Sequence, residues 1–206
     1  NLTSRRSNGG AGTEYAALSF GGNPGLTSTE EYYGETWAAG GAMIAGRSEG
    51  IAAAGLQNAA LAAGGNNGGV LTSVEEYNGT SWAAGGALIV GRQSLNGAGT
   101  QNAALAAGGM NPAQVTCTEE YDGSTWATAN PITTARKETG MGGLQNGAFM
   151  AGGRAGSAAG ETCTEEYDGT NWSTGGALGN SRYALQSGGG GTIAAGIVAG
   201  GSSSPA

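Results

Sequence analysis

The chain is organised around the stretch Thr118-Glu119-Glu120-Tyr121-Asp122-Gly123-Ser124-Thr125-Trp126. Asp-Gly is typical of a tight type I′ hairpin turn, because positive φ costs little for Gly and Asp. Side chains alternate along a strand, so Glu120 points to the opposite face from Glu119 and Tyr121. Whether the loop has two or four residues, Trp126 lies on the face of Tyr121 and within its reach. The stretch therefore predicts a β-hairpin that carries an aromatic pair.

Related copies of this stretch recur at a regular interval. Tyrosine and tryptophan are five residues apart in every copy, and successive tyrosines are 45, 44 and 46 residues apart. The four pairs are Tyr32 with Trp37, Tyr77 with Trp82, Tyr121 with Trp126, and Tyr167 with Trp172. A period near 45 predicts supersecondary units that are stacked or arranged radially.

Two further positions follow the same period. An arginine comes ten residues after each tryptophan, and a small apolar run then leads to a glycine pair. The arginines are Arg47, Arg92, Arg136 and Arg182, and Arg6 has the same place at the start of the chain; the pairs are Gly21-Gly22, Gly64-Gly65, Gly108-Gly109, Gly152-Gly153 and Gly200-Gly201. We expect each arginine to be buried or half-buried and to bind carbonyls or a carboxylate through its five donors. Anion binding is the alternative.

Each unit predicts four short strands. In the third unit they run from about 93 to 100, 103 to 107, 115 to 121 and 124 to 128. No window has the 3.6-residue apolar period of a helix, and four strands in about 45 residues are typical of a propeller blade. We therefore predict an all-β fold, a β-propeller of about five blades of four-stranded antiparallel sheets, with the last blade incomplete. Residues 1–206 are expected to form a single domain, with blades at about 6–46, 47–91, 92–135, 136–181 and, in part, 182–206.

The order of arginine, apolar strand, double glycine, and tyrosine with tryptophan on an outer hairpin resembles the kelch repeat over nearly the whole chain. The wording Glu-Glu-Tyr-Asp-Gly-x-x-Trp, with Gln-Asn-Ala-Ala-Leu-Ala-Ala-Gly-Gly upstream, also resembles kelch-like arrays in tail and fibre-associated proteins of bacteriophages. The first resemblance implies a kelch-like propeller. The second implies a virion or extracellular location, with other virion or surface proteins as partners. The tyrosine-to-tryptophan interval is shorter than in most kelch repeats, so we expect a tighter outer hairpin.

The composition fits a crowded ring. The chain has 44 glycines among its 206 residues, and propeller sheets converge on an axis where Gly and Ala allow close approach. The recurring aromatic pair gives each unit something to bury, which argues against a disordered chain. The net charge of -7 argues against nucleic-acid binding, which needs clustered Lys and Arg. The uncharged stretch 50–74 is too rich in Gly, Asn and Gln for membrane insertion.

Closure of the ring leaves two alternatives. Residues 182–206 supply only two strands of the fifth blade, and only five residues precede Arg6. Either a five-sheet ring closes with a two-stranded last blade, which we favour, or residues outside this segment complete the ring.

The loops between the second and third strands of each unit vary in length and content, whereas the tyrosine-to-tryptophan and tryptophan-to-arginine intervals are constant. Variable loops on a rigid scaffold are where recognition residues usually lie. We therefore predict that the face carrying these loops binds a partner, such as a host glycan or a host surface protein. The candidate residues are Asn23, Asn66, Asn67, Met110, Asn111, Arg154 and Ser157.

The chain contains no histidine, the commonest general base and metal ligand, so we expect no enzymatic activity, no metal and no cofactor. Neighbouring strand residues point to opposite faces, so the two acids of a Glu-Glu pair do not converge on one bond as a glycosidase requires. We expect these acids at outward or cross-strand polar positions. Cys117 and Cys163 are expected to be free thiols, because equivalent positions on neighbouring blades lie about 10 Å apart, like packed sheets.

The sequence favours a non-enzymatic structural or binding propeller module of a virion or extracellular appendage, acting as a scaffold or in attachment to a host surface. One alternative is a glycan-binding, lectin-like propeller in which the repeated aromatic rings stack on sugars. A second alternative is a kelch-type adaptor for a protein partner.

Overall fold

The structure is a computed structural model that describes residues 7–156, 160–185 and 189–203, and in these ranges it contains strands and no helix. Four four-stranded antiparallel sheets and one two-stranded sheet follow one another along the chain, and we name them blades I to V. Blade I consists of β1 (Gly9–Gly12), β2 (Ala17–Phe20), β3 (Thr29–Tyr32) and β4 (Trp37–Ala39), and blade II of β5 (Ala52–Leu56), β6 (Ala59–Ala63), β7 (Val74–Tyr77) and β8 (Trp82–Ala84). Blade III consists of β9 (Asn96–Thr100), β10 (Ala103–Ala107), β11 (Thr118–Tyr121) and β12 (Trp126–Ala129), and blade IV of β13 (Gly140–Leu144), β14 (Gly147–Ala151), β15 (Thr164–Tyr167) and β16 (Trp172–Thr174). In the described part of the chain, blade V consists of β17 (Gly189–Thr192) and β18 (Ala195–Val198).

The first strand of every blade lies at the centre of the ring. These strands pack in the order β1, β5, β9, β13, β17, and all five line one axial cavity of about 220 Å³. The all-β propeller is thereby confirmed, with four complete blades and a partial fifth. We call the interface between two neighbouring blades a seam. The strands at the two ends of this order, β17 and β1, lack the close packing of the other four neighbouring pairs.

The inner strands are rich in small residues because their backbones approach closely. A Cβ atom added to Gly97 would lie 2.9 Å from the carbonyl oxygen of Ala53 in the neighbouring blade. One added to Gly142 would lie 2.9 Å from the Cα of Gly190. Real Cβ atoms do not come this close to backbone, so the expected crowding at the axis is confirmed.

The outer hairpin has a four-residue loop. Tyr121 pairs directly with Trp126, and their ring centroids are 5.0 Å apart. In the loop, the Asp122 carboxylate accepts hydrogen bonds of 2.8 Å from the N–H groups of Ser124 and Thr125. Gly123 has a φ of 92°, whereas Asp122 is not in the left-handed region. The type I′ turn expected from Asp-Gly is therefore wrong, because the aspartate side chain caps the loop instead.

The double glycines join each blade to the next. Gly108 has a φ of 64°, and a Cβ atom there would lie 2.7 Å from the carbonyl oxygen of Arg136. The N–H of Gly109 donates a hydrogen bond of 2.9 Å to the same oxygen. The same bond joins Gly22 to Arg47, Gly65 to Arg92 and Gly153 to Arg182. A side chain at the first glycine would break this contact.

The buried hydrophobic residues that the structure describes form three clusters, each at a seam between two complete blades. The aromatic pairs of blades II, III and IV lie in these clusters, with tyrosines at most 1% exposed and tryptophans 6–7% exposed. Burial of these rings between blades was predicted and is confirmed. Tyr32 and Trp37 of blade I are only half-buried, because they face the incomplete blade V side of the ring. The described residues form no helix that could cross a bilayer, and the stretch 50–74 lies mostly in β5, β6 and their connecting loops.

Candidate functional site

The repeated arginines belong to buried ion pairs. Arg92 is fully buried, and its Nη2 atom lies 2.9 Å from Glu119 Oε1. Its Nη1 atom donates a hydrogen bond of 2.8 Å to the carbonyl oxygen of Cys117. Equivalent pairs join Arg47 to Glu75 at 2.5 Å and Arg136 to Glu165 at 2.7 Å. Burial of the arginines with carbonyls and a carboxylate is thus confirmed for these three, and they are closed to an external anion. Arg6 lies outside the described residues.

The first acids of three Glu-Glu pairs, Glu75, Glu119 and Glu165, are buried, so the expectation of outward or cross-strand polar positions is wrong for them. Glu119 also accepts hydrogen bonds from the N–H groups of Ile89 at 2.7 Å and Val90 at 3.3 Å, in the loop that enters the blade. The second acid of a pair serves the next blade, since Tyr121 Oη donates a hydrogen bond of 2.5 Å to Glu76 Oε1. Strand alternation predicts the two faces correctly. It does not show that each face meets a buried partner.

The buried phenols have shifted acidity. Burial, followed by the hydrogen bond to a glutamate, raises the pKa of Tyr77 and of Tyr121 to about 12. The same two causes raise the pKa of Tyr167. Burial lowers the pKa of Arg92, and the charge of Glu119 opposes that shift. The tyrosines therefore stabilise the seams in their protonated form, and the ion pair of Arg92 and Glu119 stabilises blade III.

Glutamine side chains form a further link across the seams, which sequence reasoning missed. Gln101 Nε2 donates hydrogen bonds to the carbonyl oxygens of Ala60 at 3.0 Å and Tyr77 at 2.8 Å in the preceding blade. Gln57 and Gln145 occupy the same place and make the same two kinds of bond. The signal was present, since these glutamines recur 44 residues apart, but the period does not show what their side chains contact.

We call the end of the ring that carries the connections between second and third strands, and between blades, the loop face. Asn66, Met110 and Arg154 occupy equivalent positions there, each one residue past its glycine pair. Each forms a backbone bridge to the residue after a repeat arginine, namely Ser48, Gln93 and Lys137 respectively. The structure thus brings these three candidate residues to one face.

The other candidate residues that the structure describes lie in the same loops, and Asn23 also directly follows its glycine pair. Asn23 and Asn67 are exposed on their loops. Asn111 is also exposed, and its side chain donates a hydrogen bond of 2.7 Å to the carbonyl oxygen of Gly91. Ser157 lies outside the described residues.

A depression of about 340 Å³ opens on the loop face. We call it the central depression, and its lining includes Glu49, Gln93, Ser94, Met110, Lys137 and Glu138. Three of these residues, Glu49, Ser94 and Glu138, have φ values of 54–60°. The N–H of Ser94 donates to the Glu49 carbonyl at 2.6 Å, and that of Glu138 to the Ser94 carbonyl at 3.1 Å. Left-handed residues in consecutive blades therefore shape its floor.

The central depression is polar and carries both signs of charge. Gln93 Nε2 donates a hydrogen bond of 2.9 Å to Glu49 Oε2. Lys137 Nζ lies 3.5 Å from Glu138 Oε1, and Arg154 Nε lies 3.6 Å from Glu138 Oε2. Arg154 also stacks on the ring of Tyr183, 3.6 Å from its centroid. Such a set of donors and acceptors suits hydrogen bonding to a polar ligand.

The described residues contain no group of three or more His, Cys, Asp or Glu side chains that could hold a metal ion. Cys117 and Cys163 are free thiols, as expected, and are half-buried. Their carbonyl oxygens accept hydrogen bonds from Arg92 and Arg136.

No protein-family model matches the chain, and no curated protein does. Among solved structures, the chain is similar to that of YjhT, with a TM-score of 0.76 and 14% sequence identity. The similarity covers 92% of this chain and 70% of that chain. At this identity the similarity concerns the fold alone, and it agrees with a β-propeller.

Proposed function

We propose that this chain is a non-enzymatic, kelch-like propeller module that acts as a rigid scaffold and binds a polar partner at the central depression. One observation carries the proposal. In blades II, III and IV the repeated arginine and the first acid of the Glu-Glu pair form a buried ion pair, as in Arg92 and Glu119. The charged residues of the central depression instead stand at positions that change type between units, since Glu49 is replaced by Ser94 in the next unit.

The setting we propose is a virion or an extracellular appendage, with attachment to a host surface. This part rests on the resemblance of the Glu-Glu-Tyr-Asp-Gly-x-x-Trp repeats to those of phage tail and fibre-associated proteins. Other virion or surface proteins would then hold the scaffold, and a host glycan or host surface protein would occupy the loop face. Neighbouring genes for capsid or tail proteins are the expected finding, and a metabolic operon would contradict it.

The structure argues against a lectin in which sugars stack on the aromatic pair of each blade. Stacking of sugars on an aromatic pair in every blade requires exposed rings, but Trp82, Trp126 and Trp172 are 6–7% exposed and lie between blades. A glycan would therefore bind at the polar central depression. A kelch-type adaptor would use the same face for a protein partner.

The test is binding of the purified chain to a glycan array and to host surface extracts, followed by substitutions. We expect Glu49→Gln with Gln93→Ala, and separately Lys137→Ala, to weaken binding roughly tenfold, as loss of a charge-assisted hydrogen bond does. Glu35→Gln, an exposed charge on the opposite end of blade I, should leave binding unchanged. Binding that ignores the loop-face variants would overturn the proposed site. Turnover of a glycan that one acidic substitution abolishes would replace the proposal with an enzyme.

A further inference from the structure

At the outer side of blade V, several residues lack the partners that their counterparts have at the other seams. A groove of about 310 Å³ lies between β18 and the adjoining face of blade IV. We call it the blade V groove, and its lining includes Phe149, Thr164, Glu166, Leu178, Ile193 and Val198. At the other seams, the third and fourth strands of the next blade fill this place.

Two polar side chains of the groove have counterparts that accept hydrogen bonds at the other seams. Glu166 is the counterpart of Glu120, which accepts a hydrogen bond of 2.8 Å from the tyrosine of the next blade. Thr164 is the counterpart of Thr118, which accepts a hydrogen bond of 3.1 Å from Nε1 of Trp172. No donor among the described residues makes the corresponding bond to the side chain of Glu166 or Thr164. The groove thus offers acceptors for one phenol and one indole.

A third group, Arg182, has only part of the environment of its counterparts. Arg136 is fully buried between the carboxylate of Glu165 and the carbonyl oxygen of Cys163. Arg182 is half-buried, and its Nη1 atom donates a hydrogen bond of 2.8 Å to the carbonyl oxygen of Gly200. The carboxylate that completes the other arginine sites lies in the third strand of a blade and the carbonyl lies directly before it, whereas blade V has two strands in the described residues.

The apolar lining of the groove is likewise uncovered. Leu178 is half-buried, whereas its counterparts Leu88 and Ile132 are 3% and 1% exposed. Ile197 in β18 is 66% exposed, and its counterpart Leu105 in β10 is fully buried. Within the described residues β18 pairs with β17 alone, so its other edge presents N–H and C=O groups for strand addition.

The opposite wall of this opening is blade I. Tyr32 Oη donates its hydrogen bond to the carbonyl oxygen of Gly34, whereas the other three repeat tyrosines donate to a glutamate of the preceding blade. In a hairpin placed between blades IV and I, the second glutamate would accept a hydrogen bond from Tyr32 and the threonine would accept one from Trp37.

We propose that the blade V groove binds a β-hairpin of the chemistry Thr-Glu-Glu-Tyr-Asp-Gly-x-x-Trp, the outer half of one further repeat, from outside the described residues. Its first strand pairs with β18 by strand addition. Its tyrosine donates to Glu166, its tryptophan donates to Thr164, and its first glutamate pairs with Arg182. The tyrosine bond recurs at three complete seams, the tryptophan bond at two of them, and the arginine–glutamate pair in three complete blades. The proposal does not depend on the loop-face function.

The test titrates the purified chain with an 18-residue peptide that has the sequence of residues 161–178, with 5-fluorotryptophan at the position of Trp172. Binding should shift and broaden the ¹⁹F resonance saturably. Glu166→Gln and Arg182→Met in the protein should each raise the peptide Kd roughly tenfold, because each removes a charge-assisted contact. The exposed control Glu35→Gln should leave the Kd unchanged.

The peptide supplies a second arm that leaves the protein intact. Tyr167→Phe in the peptide should weaken binding to the wild-type chain and have little further effect on the Glu166→Gln variant, because both changes remove the same bond. Absence of a ¹⁹F change at millimolar protein would overturn the proposal, and so would binding that ignores these changes. A dimer in sedimentation that Ile197→Lys abolishes would assign the groove to a second copy of this chain and would also overturn it.

Discussion

The indole N–H of Trp126 has no hydrogen-bond acceptor among the described residues, because Val74 occupies the position from which a threonine accepts this bond elsewhere. At two other seams, Thr29 and Thr118 accept bonds of 2.9 and 3.1 Å from the tryptophan of the next blade. A buried donor without a partner costs about 1–3 kcal/mol. The seam between blades II and III therefore has a correctable defect.

Val74→Thr should raise the free energy of unfolding by about 1 kcal/mol, because it restores the acceptor at a cost of one buried methyl contact. Thr118→Val is the matched control and should lower the free energy of unfolding by a similar amount. Urea denaturation of both variants measures the difference. Destabilisation by Val74→Thr combined with no effect of Thr118→Val would show that the indole bond does not matter at these seams.

Glu119→Gln should lower the free energy of unfolding by about 3–5 kcal/mol, because it leaves the buried charge of Arg92 without its counter-ion. The double variant Arg92→Met with Glu119→Gln should lose less than the sum of the single changes Arg92→Met and Glu119→Gln. Denaturant unfolding of the three variants gives the coupling energy. Glu35→Gln, which changes an exposed carboxylate, should stay within about 0.5 kcal/mol of the wild type.

Alkaline pH should destabilise the fold through its buried tyrosines. The pKa of Tyr77 and Tyr121 is about 12 in the folded chain and about 10 when unfolded, so the fold favours the protonated phenol. Their contribution is complete below pH 10 and is lost as the pH rises towards 12. Unfolding free energies measured at pH 9, 10 and 11 should fall, and the fall should be shallower in Tyr121→Phe. A Tyr121→Phe curve parallel to that of the wild type would contradict this assignment.

Gln101→Ala should lower the free energy of unfolding by roughly 1–2 kcal/mol, because two carbonyl oxygens of blade II lose their donor. The neighbouring Asn102 is exposed, so Asn102→Ala serves as the control in the same turn. Amide hydrogen exchange should report faster opening of blade II next to residue 101 in the first variant only. Equal effects of both variants would assign the loss to the turn.

The ring could be predicted from the sequence because its signals are periodic. The interval of five residues from Tyr121 to Trp126 and the period near 45 together predict a hairpin repeated around an axis. Glycine-rich inner strands follow from the same geometry. These features depend on the alternation of side chains along a strand and on the spacing between repeated residues. Both can be read directly from a sequence.

The partners of buried polar groups could not be predicted in the same way. Alternation shows that Glu120 and Glu119 face opposite sides, but their partners Tyr167 and Arg92 lie 47 and 27 residues away in the sequence. Choosing among such partners requires the relative placement of neighbouring blades. The acids therefore looked like surface residues.

The candidate site was predicted in part. The variable loops indicated Asn66, Met110 and Arg154, which the ring gathers on the loop face. Glu49 and Glu138 were missed because they lie outside the variable loops between the second and third strands. Their left-handed conformation has no residue signature, since glycine is absent from both positions.

Every complete seam uses the same unsymmetrical set of bonds, in which tyrosine and glutamine of one blade donate backwards and the arginine carbonyl accepts from the blade before. These head-to-tail seam contacts do not by themselves fix the number of blades. A unit of about 45 residues added by gene duplication would form the same contacts with the blade before it and the blade after it. The number of blades can therefore change without a new type of interface.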